Sequence, residues 1–264
     1  MRIGSRDFAT TGHTYIMGIL NVTPDSFSDG GKFNQIDAAL KHAEEMIRDG
    51  ADVIDIGGES TRPWGYTKIS DEEETGRVVP VIEAVKKEFG IPISVDAEAA
   101  AQAGADLIND IWGLKYDPHM SEVIAKSGLA CCLMHNRDNT EYRNFMEDMK
   151  QDLRETIALA KAAGIADDKI ILDPGVGFAK SYENNLEVIR RLKEFNELKY
   201  PVLLGTSRKS VIGLTLDLPA AERVEGTIVT TVMAVEAGCM FVRVHDVKEN
   251  HRAIQMAEAI LYRK

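Results

Sequence analysis

The chain is poor in cysteine: Cys131, Cys132 and Cys239 are its three, and no two stand as CxxC. An odd count, with two of them adjacent inside a predicted strand, excludes a disulfide framework and points to a cytoplasmic, reducing location. No apolar run reaches about 18 residues, so no membrane partner is expected. The start from Met1 to Thr14 is polar and contains glycine rather than a charged then apolar leader, which excludes a signal peptide. The formal charge is −11 and no stripe of Lys and Arg is long enough to hold a nucleic-acid backbone, so no nucleic acid is expected and anion binding has to be local. No Pro, Gly or Ser-rich linker divides the chain, and residues 1–264 read as one domain. What is present is an ordinary globule, 44% hydrophobic and 28% charged, with ample core.

Strand-like and helix-like segments alternate throughout. Strands are predicted near 15–20, 53–56, 92–95, 106–109, 130–134, 170–173, 202–205 and 241–245. Helices are predicted near 35–48, 71–89, 97–103, 118–126, 141–163, 183–197, 219–237 and 248–262, the first on the spacing Ala38, Leu40, Ala43, Ile47 and the last on Ile254, Ala257, Ile260. Gly50, Gly90, Gly104, Gly128, Gly164 and Gly238 each follow a helix where a left-handed turn needs glycine. Eight such units predict a single (β/α)8 barrel, with Arg2 to Thr14 as a hairpin or plug at its bottom. The strands stop at Asn21, Asp55, Asp96, Asn109, His135, Asp173, Thr206 and His245, residues able to bind or polarise something. In such a barrel the C-terminal strand ends form the site.

Three loops carry chemistry. Asn21 to Gly31 is long for a connection of this kind and sets turn formers and acceptors around Phe27, a composition that suits a lid as well as a plain loop. Asp55 to Pro63 places Gly57 and Gly58 ahead of Ser60, Thr61 and Arg62, a cluster suited to phosphate. Its bland alternative is a surface pair of Arg62 with Glu59. Gly205 to Ser210 and Arg243 to Asp246 lie after strands seven and eight, where barrel phosphate sites are frequent. Arg243 and His245 share one side of a strand, and an Arg facing the barrel interior is costly without an anionic partner.

Against these cations stand Asp96, Asn109 and Asp173. Two carboxylates and an amide converging in a desolvated pocket call for a ligand or cation with N–H donors to offer, hence a heterocycle with an amidine-like edge. Acceptors at the floor and cations at the rim together fit a heterocycle carrying a phosphate ester or pyrophosphate. A metal is the rival explanation for Asp96 and Asp173, though no HxxxH spacing accompanies them. Asp173 to Phe178 contains GxG without the third glycine of a dinucleotide fingerprint, and Gly205 to Ser210 lacks Walker spacing. A Cys132–His135 nucleophile pair would need Cys132 to face the mouth.

The motifs Asn21-Val22-Thr23-Pro24-Asp25-Ser26-Phe27-Ser28-Asp29-Gly30-Gly31, Asp55 to Pro63, Leu107 to Asp110, Asp173 to Phe178, Ser207-Arg208-Lys209-Ser210 and Arg243-Val244-His245 together resemble the dihydropteroate synthase family of the folate pathway. The resemblance runs from about residue 13 to residue 262. It implies attack of p-aminobenzoate on the methylene of 6-hydroxymethyl-7,8-dihydropterin pyrophosphate, giving dihydropteroate and pyrophosphate with Mg²⁺ assisting. It implies that Asp96, Asn109, Asp173 and Lys209 hold the pterin, and that Asn21, Arg62, Arg243 and His245 hold pyrophosphate, Asn21 also serving the metal. Thr61, Pro63, Phe178, Lys209 and Ser210 would border p-aminobenzoate, and Asp25, Phe27, Arg62 and Lys209 would act at the reacting centre. A homodimer and inhibition by sulfonamides are further implications.

One departure stands out: Asp96 runs straight into Ala97 to Gly104, several residues shorter than in the family. Either a segment is missing from the chain as given or the third loop is truly short. Rival functions are a methyltransferase of the same barrel group using methyltetrahydrofolate, for which the pyrophosphate cluster has no purpose, and a non-catalytic pterin binder, which release of pyrophosphate discriminates.

Overall fold

The computed structural model describes residues 1–22, 32–58, 70–95 and 103–262. A short antiparallel hairpin, β1 (Arg2–Ile3) with β2 (Arg6–Asp7), precedes eight parallel strands. These are β3 (Tyr15–Asn21), β4 (Val53–Gly57), β5 (Ile93–Val95), β6 (Leu107–Asp110), β7 (Ala130–Met134), β8 (Ile170–Asp173), β9 (Leu203–Leu204) and β10 (Phe241–Val244), each within one residue of its predicted ends. Each strand pairs with its sequence neighbours and β10 also pairs β3; a bridge between Leu172 and Val202 brings β8 to β9 and nearly closes the ring.

Helices cover the outside of the barrel: α1 (Lys32–Asp49), α2 (Asp71–Phe89), α3 (Met120–Ser127), α4 (Phe145–Ala162), α5 (Tyr182–Arg190), α6 (Ser210–Leu216), α7 (Val224–Ala237) and α8 (Val247–Tyr262). Ser70 caps α2 by accepting from the Glu73 N–H at 3.2 Å, and Gly90, at φ 62°, ends it by donating to the Lys86 carbonyl. All six glycines expected to turn left-handed do so. The predicted helix at 97–103 lies outside the described residues except for its last position, Ala103, which falls in a turn.

Three details differ from the periodicity. In α1 the fully buried face is Ala39, Ala43 and Met46, with the expected Leu40 and Ile47 packed partly buried at its edges; Ala39 and not Ala38 lies at its centre. The helix expected over 183–197 breaks at Arg191 into a 3-10 turn, Leu192–Leu198. Seven residues containing Gly213 form α6, too short and too glycine-interrupted to announce itself as a helix.

Inside the barrel, side chains stack in layers. The bottom layer is apolar: Met17, Val53, Leu107, Ile171, Leu203 and Phe241, closed by Ile3 and Phe8 of the N-terminal segment. Phe8 meets Phe241 at 5.5 Å and Tyr15 edge-on at 4.9 Å between ring centroids, so the first residues plug the bottom as expected. Among the described residues no helix is long and apolar enough to cross a membrane.

Candidate active site

Two residues further along four of these strands the interior turns polar. Val53 is followed by Asp55, Leu107 by Asn109, Ile171 by Asp173 and Phe241 by Arg243, all facing inward because strand side chains alternate. Asp55 and Asn109 are not strand ends; they sit inside β4 and β6. The Asp110 carboxylate accepts from the backbone N–H of Trp112 at 2.8 Å and Leu114 at 2.5 Å, tying the fourth turn and leaving Asn109 to the barrel.

Asp173 is 6% exposed, and burial raises its carboxyl above the usual range while Lys209 and the Gly175 N–H, donating at 2.7 Å, oppose the rise. Burial lowers the Lys209 ammonium to about 8, with Asp173 opposing. Lys209 donates to the Val176 carbonyl at 2.5 Å and lies 4.8 Å from the Phe178 ring centroid. A methyl group added at Gly205 would have the Asp173 Oδ2, the Lys209 Nζ and the Arg243 Cβ within 3.9 Å, so the Asp173 carboxylate and the Lys209 ammonium meet beside the base of the Arg243 side chain, over a point that glycine keeps open.

Arg243 finds its anion inside the protein. Asp55, 188 residues away in sequence, accepts from Nε at 2.7 Å and Nη2 at 2.6 Å through Oδ2. Both lie in predicted strands, yet nothing local in the sequence pairs them. Asp55 Oδ1 and the Ser94 Oγ beside it in the register are buried with no hydrogen-bond partner among the described residues, leaving acceptor capacity in this layer for a donor-rich ligand.

His245 meets the Ser207 hydroxyl at 3.0 Å through Nδ1. Arg208, at φ 59°, turns away to Asp246, which accepts at 2.5 and 3.1 Å, while Arg223 donates to the Arg208 and Lys209 carbonyls and fixes the turn that sends Lys209 inward. Ser210 opens α6 and is exposed, and Asn21 closes β3 half-buried. Of the expected site residues, the structure thus brings Asp173, Lys209, Phe178 and Arg243 together, with Asn109 in the same layer and Asn21, Ser210 and His245 at the same end. Asp25, Phe27, Thr61, Arg62, Pro63 and Asp96 lie outside the described residues.

Cys132 does face this interior, but burial holds its thiol well above the normal range, so it offers no thiolate nucleophile. His135 turns instead to Asp152 at 2.8 Å, and burial lowers it to about 4. It is therefore a neutral, hydrogen-bonded residue.

A family model described as pterin binding enzyme matches residues 17–245. The chain belongs to the dihydropteroate synthase family. It is 60% identical, over the whole of both chains, to the dihydropteroate synthase of Clostridium beijerinckii. That alignment runs to 270 positions against 264 residues here, in keeping with a chain several residues shorter than its relative. Among solved structures, the dihydropteroate synthase of Clostridium difficile, crystallised in the presence of pteroic acid, is 50% identical with a TM-score of 0.91, covering all of both chains. The enzyme of Xanthomonas albilineans, solved with 4-aminobenzoic acid, is 38% identical with a TM-score of 0.89 over 96% of this chain and 94% of its own. The chain is accordingly a transferase with the barrel fold of that family.

Proposed function

We propose that the chain carries out the dihydropteroate synthase reaction with the residues just described, read in two depths. Asp173 and Asn109, joined by Asp96, accept from the amino-pyrimidine edge of 6-hydroxymethyl-7,8-dihydropterin pyrophosphate. Lys209 holds the pterin with them, and Asn21, Arg62, Arg243 and His245 face the pyrophosphate. The observation that carries this reading is the meeting of the Asp173 carboxylate and the Lys209 ammonium beside the base of the Arg243 side chain, above Gly205.

The amine nitrogen of p-aminobenzoate attacks the pterin methylene, the methylene C–O bond breaks with its electron pair leaving on pyrophosphate, and the amine releases one proton. An aniline nitrogen is nucleophilic enough that no strong base is needed, so orientation and charge do most of the work. Charge gathers on the departing oxygen, where the cations stabilise it. Asp55 keeps the Arg243 guanidinium aimed, because Nε and Nη2 both donate to its Oδ2 in charge-assisted bonds. Phe178, with Thr61, Pro63, Lys209 and Ser210, borders p-aminobenzoate, and Asp25, Phe27, Arg62 and Lys209 act at the reacting centre. Sulfonamides, which resemble p-aminobenzoate, would occupy the same border.

Magnesium fits the donor set as a shared ion: it keeps most of its waters and takes few protein oxygens beside phosphate oxygens, and Asn21 offers one amide oxygen at the barrel mouth. When bound, it would neutralise charge on the pyrophosphate.

Residues 1–264 act as one pterin-binding domain. Three free, buried cysteines suit the cytoplasm. Leu214, Val229, Val232, Met256 and Ile260 are exposed on α6, α7 and α8, a concentration of apolar surface that supports a homodimer through these helices.

The test is pyrophosphate release from the two substrates, combined with calorimetry of dihydropterin pyrophosphate with and without Mg²⁺. Release is expected from the native chain, with Mg²⁺-dependent binding lost in Arg243→Ala. Binding of the pterin without release would instead make the chain a non-catalytic relative.

A further inference from the structure

One half-buried cation beside the site has no part in the scheme above. Lys180, at the end of the turn after β8, donates to the Phe178 carbonyl at 2.9 Å and meets His135 Nδ1 at 3.0 Å. On the other side of the ring, His135 Nε2 meets Asp152 Oδ2 at 2.8 Å. An ammonium has only donors, so Nδ1 accepts and the ring proton sits on Nε2, directed at Asp152. Arg137 holds Asp152 in turn, at 2.6 and 3.1 Å, under Tyr142, whose hydroxyl donates to the Ala179 carbonyl at 2.9 Å.

Backbone and side-chain contacts around this cluster also hold the turn that carries Asp173 and Phe178. The His135 backbone N–H donates to the Asp173 carbonyl at 2.8 Å. Asn185 accepts from the Gly177 N–H at 2.6 Å and donates to the Lys180 and Ser181 carbonyls. Gly175, at φ 67°, lies so close to the His135 carbonyl that any Cβ there would collide with it. Lys180 is thus aimed from three sides.

We propose that Lys180 is a positioning residue for this reaction, acting through the Phe178 carbonyl and the Asp173 carboxylate, with His135 and Asp152 as the arm that aims its charge. This rests on the assignment of Asp173 as pterin anchor and Phe178 as border of p-aminobenzoate.

Asp173 can accept from a pterin edge only while ionised, and its burial works against that. The charged groups around Lys180 are Asp173 and Asp152, which favour its charge, and Lys209 and Arg137, which oppose it; burial is the largest influence and lowers it to about 7. The electrostatic influence is mutual, so the Lys180 charge helps Lys209 keep Asp173 ionised.

Three variants separate charge from scaffold: Lys180→Gln keeps a donor without charge, Lys180→Arg keeps the charge, and Lys180→Met keeps neither. Pyrophosphate release is followed against pH at limiting dihydropterin pyrophosphate. Losing the cation lets Asp173 hold its proton to higher pH, so the acid limb of kcat/KM moves up by about one pH unit and KM for the pterin substrate rises roughly tenfold in Lys180→Gln and Lys180→Met. Lys180→Arg keeps the native limb. An unmoved limb and KM in Lys180→Gln overturn the proposal, as does an equal displacement by Lys180→Gln and Lys180→Arg, the mark of a purely structural role. Should Lys180→Met fail to fold by circular dichroism, the other pair decides. Activity retained in Asp173→Asn sinks the site assignment itself, whereas an inactive Asp173→Asn beside a native-like Lys180→Gln sinks only this inference.

Discussion

The lower and upper layers of the barrel interior lie two residues apart on the same strands and have opposite chemistry. Below, Phe241, Leu107 and Ile171 touch Phe8 and Ile3, every group apolar and satisfied. Above, Arg243, Asn109 and Asp173 replace them, with Asp55 Oδ1 and Ser94 Oγ left without partners among the described residues. The lower layer supplies hydrophobic stabilisation and a rigid frame. The upper layer accepts desolvated charge, which a fold tolerates only where charges pair or a ligand completes them.

Three experiments would break or sharpen that contrast. The largest effect is expected from Asp173→Asn, which removes the acceptor charge but keeps shape and the Oδ1 contact to Gly175. It should cut kcat/KM for the pterin substrate by about a hundredfold to a thousandfold, with little change in thermal midpoint; unchanged turnover would remove Asp173 from the site.

Phe241→Leu probes the layer beneath. Deleting part of a fully buried ring should cost on the order of 1 kcal/mol in urea unfolding and leave both KM values as they are. A shifted KM would show that the layers are coupled and that the division between them is too sharp.

The smallest effect concerns the rim of the upper layer. His135 is lowered to about 4 from 6.5, so below its unfolded value the unfolded chain binds a proton that the native chain refuses. Stability present above pH 6.5 is therefore lost as pH falls towards 4. His135→Gln should flatten the unfolding free energy across that window; parallel curves for both proteins would mean that burial of this ring is not the source.

The eight strands were legible because alternation and short apolar runs are local, and the punctuating glycines marked where each helix stopped. Asp173 and Arg243 were legible as candidates because the C-terminal parts of strands in such a barrel point to one mouth, and Lys209 because it lies in the loop after strand seven. The seven-residue helix after Lys209 was not, because Gly213 and its short length hide any period. Nor was Lys180, two residues past a GxGF turn, whose partners are a histidine just after β7 and, through it, a carboxylate from α4.

The sequence by itself determined the order of strands and helices, the inward or outward side of each strand residue and the short list of polar groups at the barrel mouth. These depend on residues a few positions apart, where pleat and helical period act. Only the closed barrel decided that Arg243 would be held by Asp55, that Arg208 would leave the site for Asp246, and that His135 would face Asp152 and Lys180. Such partners lie far apart along the chain, and which of several available charges meet is set by how the strands and turns come together in space.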